Sequence, residues 1–152
     1  VSSSRIRGLL RDGQVAEAAI LLGRPHRLSG PVVHGDRRGR TLGFATANVD
    51  FDERSCLPAN GVYAVLGRIE SGSVYPGVAN LGIRPTFNGE RRQNEIHLIG
   101  FEGNIYGERL EVDFVARLRG ERRFDSAEAL IGQVAEDMSR ARSILATRFG
   151  DI

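Results

Sequence analysis

Between Pro25 and Gly120 the chain alternates apolar and polar residues in short runs, each ended by Gly, Pro or Asn. A period of two puts successive side chains on opposite faces, which is the pattern of half-buried strands and not of helices. Six strands are predicted, at residues 28–34, 46–51, 61–69, 74–80, 94–101 and 109–118. Glu70-Ser71-Gly72-Ser73 is a tight-hairpin signal, and Gly103-Asn104 turns the chain between the last two strands. Antiparallel strands this closely spaced expose edges unless the sheet closes, so a mainly β, six-stranded, Greek-key-like barrel is expected. No βαβ rhythm appears, which argues against a doubly wound sheet.

Both ends of the chain change period. Leu130, Ile131, Val134, Met138, Ala141 and Leu145 fall at three- and four-residue steps, predicting a long C-terminal helix docked on the barrel. Asp125 is the expected N-cap, with Glu128 three residues on. At the other end, V-A-E-A-A-I-L-L (Val15 to Leu22) reads as a short amphipathic helix after a break at Asp12-Gly13. No apolar run of about 18 residues is present, so no membrane span is expected. The polar, basic start does not read as a signal peptide. Cys56 is the single cysteine and forms no internal disulfide, which fits a reducing cytoplasm.

The chemistry concentrates in G-D-R-R-G-R-T-L-G-F-A-T-A-N, from Gly35 to Asn48. All 21 basic residues are arginine, so a phosphate loop built on lysine is ruled out. Phosphate must then be held by backbone N–H groups, arginine and metal. The glycines allow close backbone approach, and the loop from Gly35 to Gly43 can wrap phosphates. The glycines alone would equally suit a surface loop. Thr46 and Asn48 lie two apart on a predicted strand, so both point to one side, and their neutral oxygens suit Mg²⁺. Glu95 and His97 share a face of the fifth strand, and a carboxylate at a barrel mouth can orient an alcohol for attack. Three scattered histidines and one cysteine make no zinc site. A net charge of +2 and sparse aromatic residues give no reason to expect nucleic-acid binding.

The Gly35–Asn48 stretch resembles the signature G-x-x-x-G-R-x-L-G-F-P-T-A-N of the bacterial riboflavin kinase module, with Ala45 in place of the family's Pro. N-L-G-I-R-P-T-F (Asn80 to Phe87), E-I-H-L (Glu95 to Leu98), I-Y-G (Ile105 to Gly107) and R-L-R-G-E-R-R-F (Arg117 to Phe124) are similar to that family in order and spacing. The resemblance runs from about Pro25 to the C-terminus. It implies a kinase domain at residues 24–152 that transfers a phosphoryl group from ATP to riboflavin with Mg²⁺, giving FMN and ADP. By the same resemblance Glu95 is the general base and Thr46 and Asn48 hold the metal. Gly35, Gly39, Arg40 and Gly43 surround the phosphates, with Tyr106 near the adenine. Asn80, Arg119, Arg122 and Phe124 meet the flavin, on two segments (80–87 and 117–124) that the resemblance marks as mobile flaps. Ala45 removes a constraint on φ without removing a ligand oxygen, so weaker metal or ATP binding with retained chemistry is expected.

The opening S-S-S-R-I-R resembles the element that closes the nucleotidylyltransferase domain of bacterial bifunctional FAD synthetases. Residues 1–23 are accordingly expected to be a helical remnant of such an upstream adenylyltransferase domain. The H-x-G-H motif of adenylyl transfer is absent from this sequence, so that activity is not expected of it. Two other classes compete: a non-catalytic flavin- or nucleotide-binding module, and an OB-like barrel for RNA or single-stranded DNA.

Overall fold

The computed structural model describes residues 3–33, 46–52 and 56–150. Two short helices come first, α1 (Ser3–Arg11) and α2 (Val15–Leu22). Six strands follow among the described residues: β1 (His26–Val33), β2 (Ala47–Val49), β3 (Gly61–Ile69), β4 (Val74–Thr86), β5 (Gly89–Leu98) and β6 (Arg109–Arg119). A long helix, α3 (Ala127–Phe149), ends the chain. All strand pairs are antiparallel, and the sheet closes in the order β1-β2-β5-β4-β3-β6. β3, β4 and β5 are successive hairpins, and β6 returns beside β3, which is Greek-key connectivity. The expected barrel, C-terminal helix and helical N-terminal segment are all present.

Two apolar groups organise the barrel. Side chains pointing inward, among them Leu28, Val49, Val65, Ile96, Val112 and Phe114, form the interior. Tyr63 and Phe51 pack edge-on against Phe114, at centroid distances of 5.4 and 6.4 Å. Leu10, Val15 and Ala18 belong to this same cluster, so α1 and α2 plug the barrel rather than hang from it. The N–H of Ala59 donates to Leu10 O at 2.9 Å. Gly13, at φ +80, makes the turn between the two helices where a Cβ would lie 2.9 Å from the Arg117 side chain. The second group lies outside the barrel wall, where Val62, Ala64, Val78, Val115 and Leu118 pack under Ala141 and Leu145 of α3. Register shifts between β3 and β6 leave Val115 and Leu118 as extra residues of β6, both packed in this outer group.

Several expectations are corrected. β4 runs on to Thr86, so residues 80–86 are strand and not a loop, and the β4–β5 hairpin turns at Phe87-Asn88. The pairing Ile83↔Arg92 through Thr86↔Gly89 extends that ladder. The fifth strand accordingly starts at Gly89 rather than at residue 94. Likewise Arg117 and Arg119 belong to β6, leaving residues 120–126 as the loop. The cap of α3 is Ser126, not Asp125. Its backbone is extended at φ −149, and its Oγ accepts the N–H of Ala129 at 3.1 Å. The buried stripe of α3 also differs, since Ile131 is exposed while Asp137 is buried. Asp137 is admitted because Arg119 reaches it from β6.

Candidate active site

β2 is only three residues long, and its placement decides the site. Val32↔Val49 and Val33↔Asn48 pair it to β1, while Ala47↔Ile96 and Asn48↔Glu95 pair it to β5. Gly30 permits this. A Cβ there would meet Asp50 O at 2.1 Å, so a side chain would push the 46–52 segment off β1. Asn94 extends the ladder past its end by donating its Nδ2–H to Val49 O at 3.2 Å.

Ala47 and Val49 point inward, so Asn48 points outward. On β5, Ile96 and Leu98 point inward and Glu95 outward, as the alternation predicts. The register then lines up one row across the outer wall. Asn48 on β2 faces Glu95 on β5, which faces Asn80 on β4, then Val62 on β3 and Arg119 on β6. Directly opposed residues of this kind have Cβ atoms about 5 Å apart. Thr46, half-buried and two residues before Asn48, extends the same side toward the neighbouring row of His97 and Val78. Helix α3 packs over Val62, Ala64 and Val78, so it borders the row from the β3 side.

Four of the predicted site residues (Thr46, Asn48, Glu95 and Asn80) are therefore brought onto one face. Asn80 Oδ1 is buried and has no hydrogen-bond partner among the described residues. Such an acceptor is costly to leave unmade. Gln93, unmarked in the sequence reading, donates its Nε2–H to Asn48 Oδ1 at 3.3 Å. Gln93 precedes Glu95 by two and shares its face, but the predicted fifth strand began only at residue 94.

Arg119, Arg122 and Phe124 meet at the far end of the row. The Arg119 Nη2 donates to Asp137 Oδ2 at 2.8 Å, and its Nε lies 3.1 Å from both carboxylate oxygens. Gln133 Nε2 adds a third donor to Asp137, at 3.0 Å. The Arg122 Nη1 donates to Gln133 Oε1 at 2.8 Å. Both guanidinium groups also sit over the Phe124 ring, at 5.7 and 5.4 Å from its centroid. Arg119 and Arg122 thus tie the 119–124 segment to α3, with the Phe124 ring against both guanidinium groups. Asp137 and Gln133 were not singled out in the sequence.

Tyr106 is half exposed on a turn, with its N–H donating to Asn104 Oδ1 at 2.9 Å. That turn is stitched to β1 through Gly107 N to Val32 O at 3.0 Å, next to where the chain enters the Gly-rich stretch. Gly35, Gly39, Arg40, Gly43 and Ala45 lie outside the described residues. No cluster of three His, Cys, Asp or Glu able to hold a metal occurs among the described residues.

A family model described as flavokinase, riboflavin kinase, matches residues 22–145. The chain belongs to the riboflavin kinase family. It is 43% identical over 143 residues to the bifunctional riboflavin kinase/FMN adenylyltransferase of Haemophilus influenzae, covering 94% of this chain and 46% of that protein. It spans about half the length of the curated relatives it matches. A crystal structure of riboflavin kinase from Trypanosoma brucei matches with a TM-score of 0.61 at 26% identity, over 78% of this chain and 76% of that one. A crystal structure described as a macrolide-efflux protein from Streptococcus pneumoniae matches with a TM-score of 0.88 at 41% identity, over 93% of this chain and 46% of that one. No helix among the described residues of this riboflavin kinase family member is long and apolar enough to cross a membrane.

Proposed function

We propose that this chain is a riboflavin kinase module, transferring the γ-phosphoryl group of ATP to the 5′-hydroxyl of riboflavin. The observation that carries the reading is the cross-strand pairing of Asn48 with Glu95 on the outer wall of a barrel of this family. Thr46 Oγ1 and Asn48 Oδ1 would hold Mg²⁺, whose charge offsets that of the phosphate oxygens during transfer. Their chemistry fits the ion. Mg²⁺ favours hard oxygen donors and takes few from protein, completing its shell with phosphate and water.

Glu95 lies one strand over from Asn48 and one from Asn80. Its carboxylate accepts a hydrogen bond from the ribityl 5′-hydroxyl and holds that oxygen in line with the γ-phosphorus. As the new O–P bond forms, the hydroxyl proton passes to Glu95 and the bond to the bridging oxygen breaks, releasing ADP. Asn80 Oδ1 accepts a donor from the flavin. Tyr106, with Gly35, Gly39, Arg40 and Gly43 of the Gly-rich stretch, takes the nucleotide, and Arg119, Arg122 and Phe124 cover the ring.

The relatives' bifunctional names and double length support a longer parent protein with an adenylyltransferase domain upstream. Residues 1–23 would then carry the end of that domain onto the barrel. We read the reaction as cytoplasmic, in keeping with ATP as its donor. The test is incubation with riboflavin, ATP and Mg²⁺. FMN and ADP in equal amounts support the reading. Flavin fluorescence quenching without ADP release would make the chain a non-catalytic binder instead.

A further inference from the structure

Arg119, Asp137, Gln133 and Arg122 form one unbroken run of hydrogen bonds, from the buried side of α3 out to the 120–126 loop. Arg119 fixes the Asp137 carboxylate, with Nη2 donating to Oδ2 at 2.8 Å. Gln133 lies about one helical turn before Asp137 on the same face of α3, and its Nε2–H donates to Asp137 Oδ1 at 3.0 Å. Its other end, Oε1, accepts from Arg122 Nη1 at 2.8 Å. A carboxamide can be turned end for end, but here both neighbours set its direction. A guanidinium has donors and no acceptor, and a carboxylate has acceptors and no donor. Turning Gln133 over would lose both bonds together. The buried anchor at Asp137 is thereby handed on to Arg122, an exposed residue on a loop, three residues past the end of β6. The same guanidinium stands 5.4 Å from the Phe124 ring centroid.

An arginine on a loop has many rotamers, and ordering it when a ligand binds costs entropy. A side chain already held in its bound conformation avoids that cost. We propose that Gln133 is a positioning residue for flavin binding: it holds Arg122 over Phe124, so that the flavin ring meets a preset guanidinium–aromatic surface. The proposal rests on the reading of Arg122 and Phe124 as residues that cover the ring. Gln133 acts through Arg122 and need not touch the flavin.

Riboflavin titrated into the chain with Mg²⁺ and ADP present, followed by quenching of flavin fluorescence, measures the effect without turnover. Gln133→Leu suits a helix and removes both bonds. Its riboflavin Kd should rise about fivefold, the factor one ordinary hydrogen bond supplies. ADP affinity by isothermal titration should stay as in the parent, because Arg122 stands at the flavin end of the row. In the Arg122→Ala background the same substitution should cost less than about twofold, a coupling read directly from the double-mutant cycle. Gln133→Ala replaces the Leu variant if the latter does not fold. An unchanged riboflavin Kd in the Gln133 variant overturns the proposal. So does an equal loss in both backgrounds, which would make Gln133 a support of α3 alone. Arg122→Ala that by itself leaves riboflavin affinity intact overturns the flavin reading of Arg122 together with this one.

Discussion

Glu95 and Asp137 are both carboxylates on the α3 side of the barrel wall, yet they do opposite work. Glu95 is half-buried and faces Asn48 and Asn80. Glu95→Gln keeps the shape and removes the proposed base, so turnover should fall by about 10²–10⁴ with ATP affinity nearly unchanged, as read by steady-state kinetics and titration. Asp137 is 1% exposed and takes donors from Arg119 and Gln133. Asp137→Ala leaves the Arg119 charge without its partner, and denaturant unfolding should show a loss of about 3–5 kcal/mol. His26 gives a pH signature. Burial lowers its pKa from the ordinary 6.5, outweighing the hydrogen bond its Nε2–H donates to Cys56 O and joined by the nearby Arg24 charge. The unfolded chain therefore binds the proton more readily. Stability from this group is complete above about 6.5 and declines as pH drops below that toward the folded value. Unfolding free energies measured across pH 7 to 5 should fall for the parent and fall less for His26→Gln.

Among the elements, the N-terminal helices matter more to the barrel than their sequence suggests. V-A-E-A-A-I-L-L is legible as a helix from its own residues, but nothing in it says that Val15 and Ala18 close the barrel interior. That is a long-range fact, set by Ala59 and Arg117 meeting the turn between α1 and α2. Leu10→Ala should cost about 2–5 kcal/mol by denaturant melts, a core-cavity penalty rather than the small effect of trimming an appendage. The strands were legible from alternation, and Gly61–Ile69 matches its prediction residue for residue. β4 was cut short where the resemblance marked residues 80–87 as a flap, whereas pairing to β5 carries the strand through to Thr86. The α3 stripe was misread at Ile131, which is exposed, and at Asp137, the latter for a related reason. Asp137 is polar in sequence and becomes admissible to the buried face only through Arg119 of β6.

At the scale of the whole molecule, closure is what makes a site. β2 and β5 are far apart in the chain, with two strands between them, and Greek-key return sets them side by side. The sequence named Thr46, Asn48 and Glu95 one by one, from oxygen chemistry and from motif resemblance. Their common face follows from strand order and register, which alternation alone does not supply. Gln93 stayed hidden for the same reason, since its partner lies across that pairing. Because the site depends on where these side chains meet, a crystal structure of the chain with Mg²⁺, ADP and riboflavin tests it. The ion is expected on Thr46 Oγ1 and Asn48 Oδ1, with the ribityl 5′-oxygen within hydrogen-bond distance of the Glu95 carboxylate. An ion and flavin tail bound away from the Asn48–Glu95 row would contradict it.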